Sequence, residues 1–282
     1  MPNLTDLSTV RALCQKHGFA LSKGFGQNFI INPTVCPRMV EAAGIDRSFG
    51  VLEIGPGIGV LTKEAALRAA KVVAVEVDQR LPPLLDETLA EFDNVKIVLA
   101  DVLKTDLVSL IREEFPGLRV AVVANLPYYI TSPILMKLLE ERLPVESITV
   151  MVQREAAQRI CAVPGSRQVG AISLAVQYYA EAQSLFTVSP GSFTPPPKVT
   201  SAVIQLRPRT EAPVHPANEA RMFAVIRAGF SQRRKTAVNA ISAGLNLPKS
   251  QVTAAVAALG KGELVRPEQL TLADWAALAD SL

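Results

Sequence analysis

The stretch NLPYYI at Asn125–Ile130 sets an amide, a proline and two phenol rings directly after the apolar run RVAVVA (Arg119–Ala124). An ordinary strand end would carry Gly, Asp or Ser turn chemistry. These groups fit the handling of a flat base with an exocyclic amine. Such an amine is a poor nucleophile, because its lone pair is delocalised into the ring. Two acceptors, the Asn125 side-chain oxygen and the Leu126 carbonyl, can hold its N–H groups and favour a more tetrahedral nitrogen. Pro127 biases the residue before it to extended backbone, which helps fix the direction of the Leu126 carbonyl. Tyr128 can stack on the base, worth roughly 1–3 kcal/mol. Tyr129 and Ile130 read as packing residues. The competing reading is a capping asparagine beside a buried tyrosine.

A second candidate is EIGPGIGVLT (Glu53–Thr62), with glycines at 55, 57 and 59. They let the backbone pass close to a nucleotide-like group. Position 60 is Val, so the dinucleotide fingerprint G-x-G-x-x-G fails at its last glycine. Glu53 would be a poor neighbour for pyrophosphate. It suits a ligand with an amino group and a sulfonium, and S-adenosylmethionine (SAM) is such a nucleoside without phosphate. Glu76, 21 residues after Gly55, is placed to accept from ribose hydroxyls, and Asp101 from an adenine amine. A tight turn without a ligand is the alternative, and solvated strand ends are the alternative for the two acids. With SAM as donor no histidine base is required. The nitrogen becomes acidic once methylated and releases its proton to solvent, so catalysis is mostly orientation.

The elements that must position these groups alternate from about residue 50. Apolar runs GVLEIG, KVVAVEV, VKIVLA, LRVAVVA and SITVMVQ are separated by helical stretches. Runs apolar on both faces are typical of parallel strands covered by helices on both sides. The expected fold is α/β, a doubly wound, mostly parallel sheet, with QSLFTVS and SAVIQL as further strands. A proline-bearing linker, Arg207–Glu219, then leads to short helical segments. The predicted domains are therefore 1–207, carrying the nucleoside site, and 208–282, a small helical module.

Composition narrows the classes. Of 282 residues 49% are hydrophobic and 20% charged, as in an ordinary globular protein. Three scattered cysteines and two histidines offer neither a disulfide framework nor metal-ligand spacing. No signal-peptide core or run of 18 apolar residues occurs, so a cytoplasmic location without membrane contact is expected. Residues 1–206 hold 19 Lys+Arg and 20 Asp+Glu, net −1; residues 207–282 hold 10 and 6, net +4. The excess at the end of the chain points to a polyanion partner, against the plainer reading of a solubilising surface.

The chain resembles the ribosomal RNA adenine dimethyltransferase family, and within it the bacterial members acting on the small-subunit 16S rRNA. The likeness runs through GFGQNFI (Gly24–Ile30), LEIGPGIGVLT, VEVD, ADVL, NLPYYITSP, MVQREAAQRI, FTPPPKVTSAV (Phe193–Val203) and FSQRRKT (Phe230–Thr236). It implies a class I SAM-dependent, Rossmann-like fold and transfer of four methyl groups to two adjacent adenosines near the 3′ end of 16S rRNA. Implied cofactor contacts are Asn28, Ile30, Gly55, Glu76, Asp101 and Asn125. The resemblance also implies that Phe193, held by the stiff PPP segment, meets the flipped adenine opposite Tyr128; its alternative role is anchoring that loop in the core. Arg233, Arg234 and Lys235, with Lys23, are the implied RNA contacts, against a solvated helix start. The implied partner is an immature 30S subunit, met by a monomeric enzyme.

Rivals remain at this stage. A 23S rRNA dimethyltransferase would share fold and chemistry, but FTPPPKV and QRRKT favour the small-subunit enzyme. DNA adenine methyltransferases usually carry Pro where Leu126 stands. An NAD oxidoreductase is disfavoured by Val60. A noncatalytic ribosome-assembly factor on the same scaffold is disfavoured by Asn125, Tyr128, Glu76 and Asp101 together.

Overall fold

A computed structural model describes residues 2–19, 28–232 and 234–282. The chain forms two compact units, Met1–Ala157 with Gln183–Pro208, and Gln158–Ala182 with Arg209–Leu282. The expected boundary near 207 lies where the chain leaves the first unit for the last time. Residues 158–182, read from sequence as part of the first domain, instead belong to the second unit, a grouping made by long-range contacts that no local pattern carries.

In the first unit, helix α1 (Leu7–Lys16) precedes a two-residue strand β1 (Phe29–Ile30) and α2 (Val35–Ala42). The alternation expected from sequence then follows: β2 (Phe49–Ile54), α3 (Val60–Arg68), β3 (Lys71–Glu76), α4 (Pro82–Thr88), β4 (Val95–Leu99), α5 (Leu107–Glu114), β5 (Arg119–Asn125), α6 (Thr131–Glu140) and β6 (Ser147–Gln153). After α7 (Arg154–Ile160) and α8 (Ala171–Tyr179) come β7 (Ala180–Val188), β8 (Phe193–Thr194) and β9 (Ser201–Pro208). The main sheet has seven strands in the order β4-β3-β2-β5-β6-β9-β7. β4 through β6 are mutually parallel, and β9 returns antiparallel to β6.

Every residue of β2 and six of seven in β6 are buried, as their unbroken apolar runs require. β4 departs from the expectation of apolar burial on both faces, because it is the sheet edge and is only partly covered. Its Lys96 reaches Glu114 of α5 at 2.5 Å, and Lys71 at the start of β3 meets the same carboxylate at 2.8 Å.

The direction of winding reverses at the centre: β3 and β4 lie to one side of β2, β5 and β6 to the other. Ligands of open α/β sheets sit in the crevice at this reversal, outside the carboxyl ends of the strands. Register brings those ends level. Ile54 pairs with Val75 on one side and Ala124 on the other, and Glu76 with Leu99.

In the second unit, α9 (Glu219–Phe230), α10 (Ala237–Leu245), α11 (Lys249–Ala258) and α12 (Leu272–Ser281) pack around a fully buried Trp275. Asn218 and Thr236 cap α9 and α10 by accepting from the backbone N–H of Arg221 and Asn239. The Tyr178 and Tyr179 hydroxyls of α8 both donate to Glu219, at 2.9 and 2.5 Å, which ties α8 to α9. Among the described residues no helix is long and apolar enough to cross a membrane.

Gly50 shows how closely β2 is approached. A methyl group there would lie 2.2 Å from Phe115 Cδ1, and Phe115 is itself buried. Gly50→Ala is therefore expected to cost about 1–3 kcal/mol by overpacking. A denaturant midpoint equal to that of the wild type would show that Phe115 has room to withdraw.

Candidate active site

The turn after β2 is set by its glycines. Gly55 and Gly57 have φ of 70° and 58°, in the left-handed region that side chains disfavour. A Cβ on Gly57 would also press on the Phe29 ring at 3.3 Å. Gly55 N–H continues the sheet ladder by donating to the Val75 carbonyl at 2.9 Å. The turn thus stays flush with the strand ends, and beyond it opens a cavity with about 1060 Å³ of empty space, counting its open mouth. Asn28, Ile30, Glu53, Gly55, Glu76, Asp101, Asn125, Leu126, Pro127 and Tyr128 all line it. The cofactor-contact set expected from the resemblance is therefore on one wall system, together with the first four residues of NLPYYI.

Three carboxyl groups differ in their surroundings. Glu53 is buried, and burial pushes its pKa to about 8; the nearby Thr62 hydroxyl pulls the other way and the Glu76 charge adds to the rise. Neither Glu53 Oε2 nor Thr62 Oγ1 has a hydrogen bond of ordinary geometry among the described residues. Glu76 is also raised by burial, against the N–H groups of Asp78, Val77 and Gly57. Its Oε1 accepts from Asp78 N–H at 2.7 Å. Asp101 is half-buried, with Oδ1 accepting from Leu103 N–H at 3.0 Å and Lys104 Nζ 3.7 Å from Oδ2. Asp78, absent from the sequence-level set, is buried and gripped by Arg80 through both oxygens, at 2.8 and 2.6 Å.

Asn125 ends β5, paired with Met151 of β6. Its Nδ2 donates to the Asn28 carbonyl at 3.2 Å. This bond fixes the amide plane and leaves Oδ1 as the end with capacity to accept. Leu126 N–H donates to the Met151 carbonyl at 3.1 Å, and its side chain is buried. The Pro127 carbonyl is taken by Ile130 N–H and Thr131 Oγ1, both at 3.2 Å. No hydrogen bond is made to the Leu126 carbonyl among the described residues. Tyr128 is half-buried, its hydroxyl 2.6 Å from Ser201 Oγ; burial raises its pKa, opposed by that bond. Ser201 carries no signal in sequence that ties it to Tyr128.

Two expectations are corrected. Phe193 does not line the cavity. It is 2% exposed in the core, because β8 pairs antiparallel with β1 and sets Phe193 opposite Ile30. In this structure it anchors the proline loop. Tyr129 is not a packing residue: it is 61% exposed and lies on the cavity mouth. The single 3₁₀ turn Tyr128–Ile130 separates the two rings, since successive side chains there diverge by about 120°. Arg234 and Lys235 occupy an exposed turn before α10. Lys23 and Arg233 lie outside the described residues.

A glycine turn at the reversal of a mostly parallel sheet, acids at the next two strand ends and an NLPY loop across the crevice define a class I methyltransferase. Residues 18–281 match the family model described as ribosomal RNA adenine dimethylase. The chain is 46% identical over 284 residues to ribosomal RNA small subunit methyltransferase A of Lysinibacillus sphaericus, covering 98% of this chain and 97% of that one. It is 47% identical over 283 residues to the protein of the same name from Shouchella clausii, covering 98% and 96%. Among solved structures, a dimethyladenosine transferase from Plasmodium falciparum superposes with a TM-score of 0.73 at 27% identity, over 88% of this chain and 95% of that one. The 23S rRNA methyltransferase ErmE gives 0.66 at 29%, over 90% and 99%. The chain belongs to the ribosomal RNA adenine dimethylase family and is an rRNA adenine dimethyltransferase.

The buried Glu53 makes stability depend on pH. Its ordinary pKa of 4.5 rises to about 8 in the folded chain. Between those values the folded state holds a proton that the unfolded state has lost, so this contribution to stability falls as pH rises and levels off above 8. Glu53→Gln cannot ionise. Its advantage over the wild type is expected to grow from pH 5 to pH 9, reaching on the order of a few kcal/mol. Denaturant melts of both proteins at pH 5, 7 and 9 check this, and a constant difference would mean that Glu53 ionises normally.

Proposed function

We propose that this chain binds SAM in the cavity and dimethylates N6 of two adjacent adenosines near the 3′ end of 16S rRNA, in a small subunit still being assembled. The single observation that carries this reading is the Asn125 Nδ2 bond to the Asn28 carbonyl. It turns Oδ1 of an amide toward acceptor duty beside the Leu126 carbonyl, which accepts no hydrogen bond among the described residues. Two oxygens so held can take both N–H groups of an adenine amine and leave its lone pair free. Tyr128, braced by Ser201, offers the stacking face.

The residues present suit SAM, which when bound supplies an electrophilic methyl carbon. Glu53 Oε2 is buried and has no hydrogen bond of ordinary geometry among the described residues, and Glu53 lines the cavity, which fits a ligand that brings a donor. Glu76, held by the N–H groups of Asp78, Val77 and Gly57, lines the cavity, where its carboxylate can accept from a ribose hydroxyl. Asp101 stands at the next strand end for the adenine amine, with Asn28, Ile30 and Gly55 completing the wall. A small-subunit substrate is supported by the names of the two bacterial relatives. The second unit, with Arg234 and Lys235 exposed, is the proposed RNA-holding module, with Arg233 and Lys23 as further candidates.

Incubating the protein with labelled SAM and unmethylated 30S particles, followed by nucleoside analysis, tests the reading. N6,N6-dimethyladenosine in the small-subunit rRNA is the expected product, and label in 23S rRNA alone would overturn it. Asn125→Ala is expected to lower turnover roughly a hundredfold, in the range of losing a preorganised polar contact, with a much smaller change in SAM affinity. Equal losses of both would remove the division of labour between amide and cofactor wall. Reversing charge at Arg234 and Lys235 is expected to weaken particle binding and flatten its dependence on salt by about one unit of slope per lost phosphate contact. Binding unchanged across several salt concentrations would take this turn out of the interface.

A further inference from the structure

Tyr129 is not used by the reading above. It is the most exposed aromatic among the large exposed hydrophobic residues, yet it belongs to the mouth of the cavity. Its backbone is held firmly: the turn is closed by Ile130 N–H on the Pro127 carbonyl, and Thr131 Oγ1 donates to the same oxygen. Tyr128, one residue earlier, turns inward to Ser201. Two rings on one rigid turn therefore face two places, one inside the pocket and one at its lip.

Exposed cations lie close to Ser201, the residue that holds Tyr128. Ser201, the partner of Tyr128, follows Thr200, whose carbonyl accepts from Arg154 N–H at 3.0 Å. Arg154 and Lys198 are exposed with no ion pair among the described residues, and Val199 between Lys198 and Thr200 is 41% exposed. Arg154 is followed by an exposed Glu155, so charge alone does not point to a nucleic-acid contact here. The flat ring does.

We propose that Tyr129 is the platform on which the base next to the everted adenosine stacks. The inference rests on the adenosine-dimethylation reading and names how the same site holds its substrate strand. Eversion takes a nucleotide out of its stack and leaves its neighbour with one bare face. A rigid aromatic at the lip covers that face, a usual way of holding unpaired RNA bases. Because the two target adenosines are adjacent, the base beside the everted one is a purine in one direction whichever is being methylated. A platform at one fixed place meets the neighbour on one side only, so it covers the other target adenosine in one round and a different base in the other, and stacking accepts either because every base has a flat face. Tyr129 acts here as a positioning residue; the reacting amine is held by Asn125 and Leu126.

The test compares Tyr129→Phe, Tyr129→Trp, Tyr129→Leu and Tyr129→Ala with the wild type on unmethylated 30S particles, recording kcat and KM for the particle, SAM affinity and the unfolding midpoint. Phe and Trp keep a flat face and are expected to stay near wild type. Leu keeps apolar bulk without that face, and both Leu and Ala are expected to lose about tenfold in kcat/KM, mainly through KM, with SAM affinity and the unfolding midpoint unchanged. Activity of Leu equal to that of Phe, or losses that follow SAM affinity or stability, would overturn the platform. A wild-type protein that leaves both adenosines unmethylated would instead defeat the underlying reading, and the inference with it.

Discussion

The winding of the sheet reverses at β2, and everything functional in the first unit follows from that constraint. A parallel strand between two oppositely progressing sets of crossovers leaves a gap above its carboxyl end, where neither side's helix can close. The registers hold Gly55, Glu76 and Asn125 at one level around this gap. Hydrogen bonds then carry the ladder one residue past the strands, at Gly55 and Val75, at Ala100 and Glu76, and at Leu126 and Met151. The site is rigid because it extends the sheet, not because its own residues contact one another extensively.

A bond from Asn125 to the carbonyl of Asn28 crosses the gap. It joins a strand end of the central sheet to the segment just before β1. That segment is secured elsewhere by the β1–β8 pairing and by Ile31 N–H on the Ser192 carbonyl at 2.8 Å. The end of β5 and the segment before β1 are therefore linked through the Asn125 amide. The carbonyls divide in the same way: Pro127 spends its oxygen on the following turn, and Leu126 keeps its own.

Much of this was legible in the sequence, for a physical reason. Parallel strands covered on both faces must be apolar throughout, and five such runs separated by helical stretches admit few other folds. The place of Gly55, Glu76, Asp101 and Asn125 on the cavity wall was readable because strand ends are where ligands of this architecture sit. That of Asn28 was not; only the resemblance pointed to it, since what it offers Asn125 is a backbone carbonyl that no side-chain pattern reveals. Phe193 misled because a two-residue strand is too short to show which way its side chains alternate. Tyr129 misled because sequence adjacency to Tyr128 hides the divergence that a 3₁₀ turn imposes. The membership of 158–182 in the second unit depends on contacts such as those of Tyr178 and Tyr179 with Glu219, about forty positions away. The protonation of Glu53 depends on burial, which a glycine motif does not state.

The incompletely covered β4 has a consequence for the chain's life among other chains. An open strand edge is a template for unwanted pairing with any extended polypeptide, the first step toward fibrous aggregates. Here that margin carries Lys96, anchored on Glu114 beside Lys71. A foreign strand docking along it would have to strip water from an ammonium group that already has its counter-charge in place. The margin is thus guarded against accretion by electrostatics rather than by a covering helix.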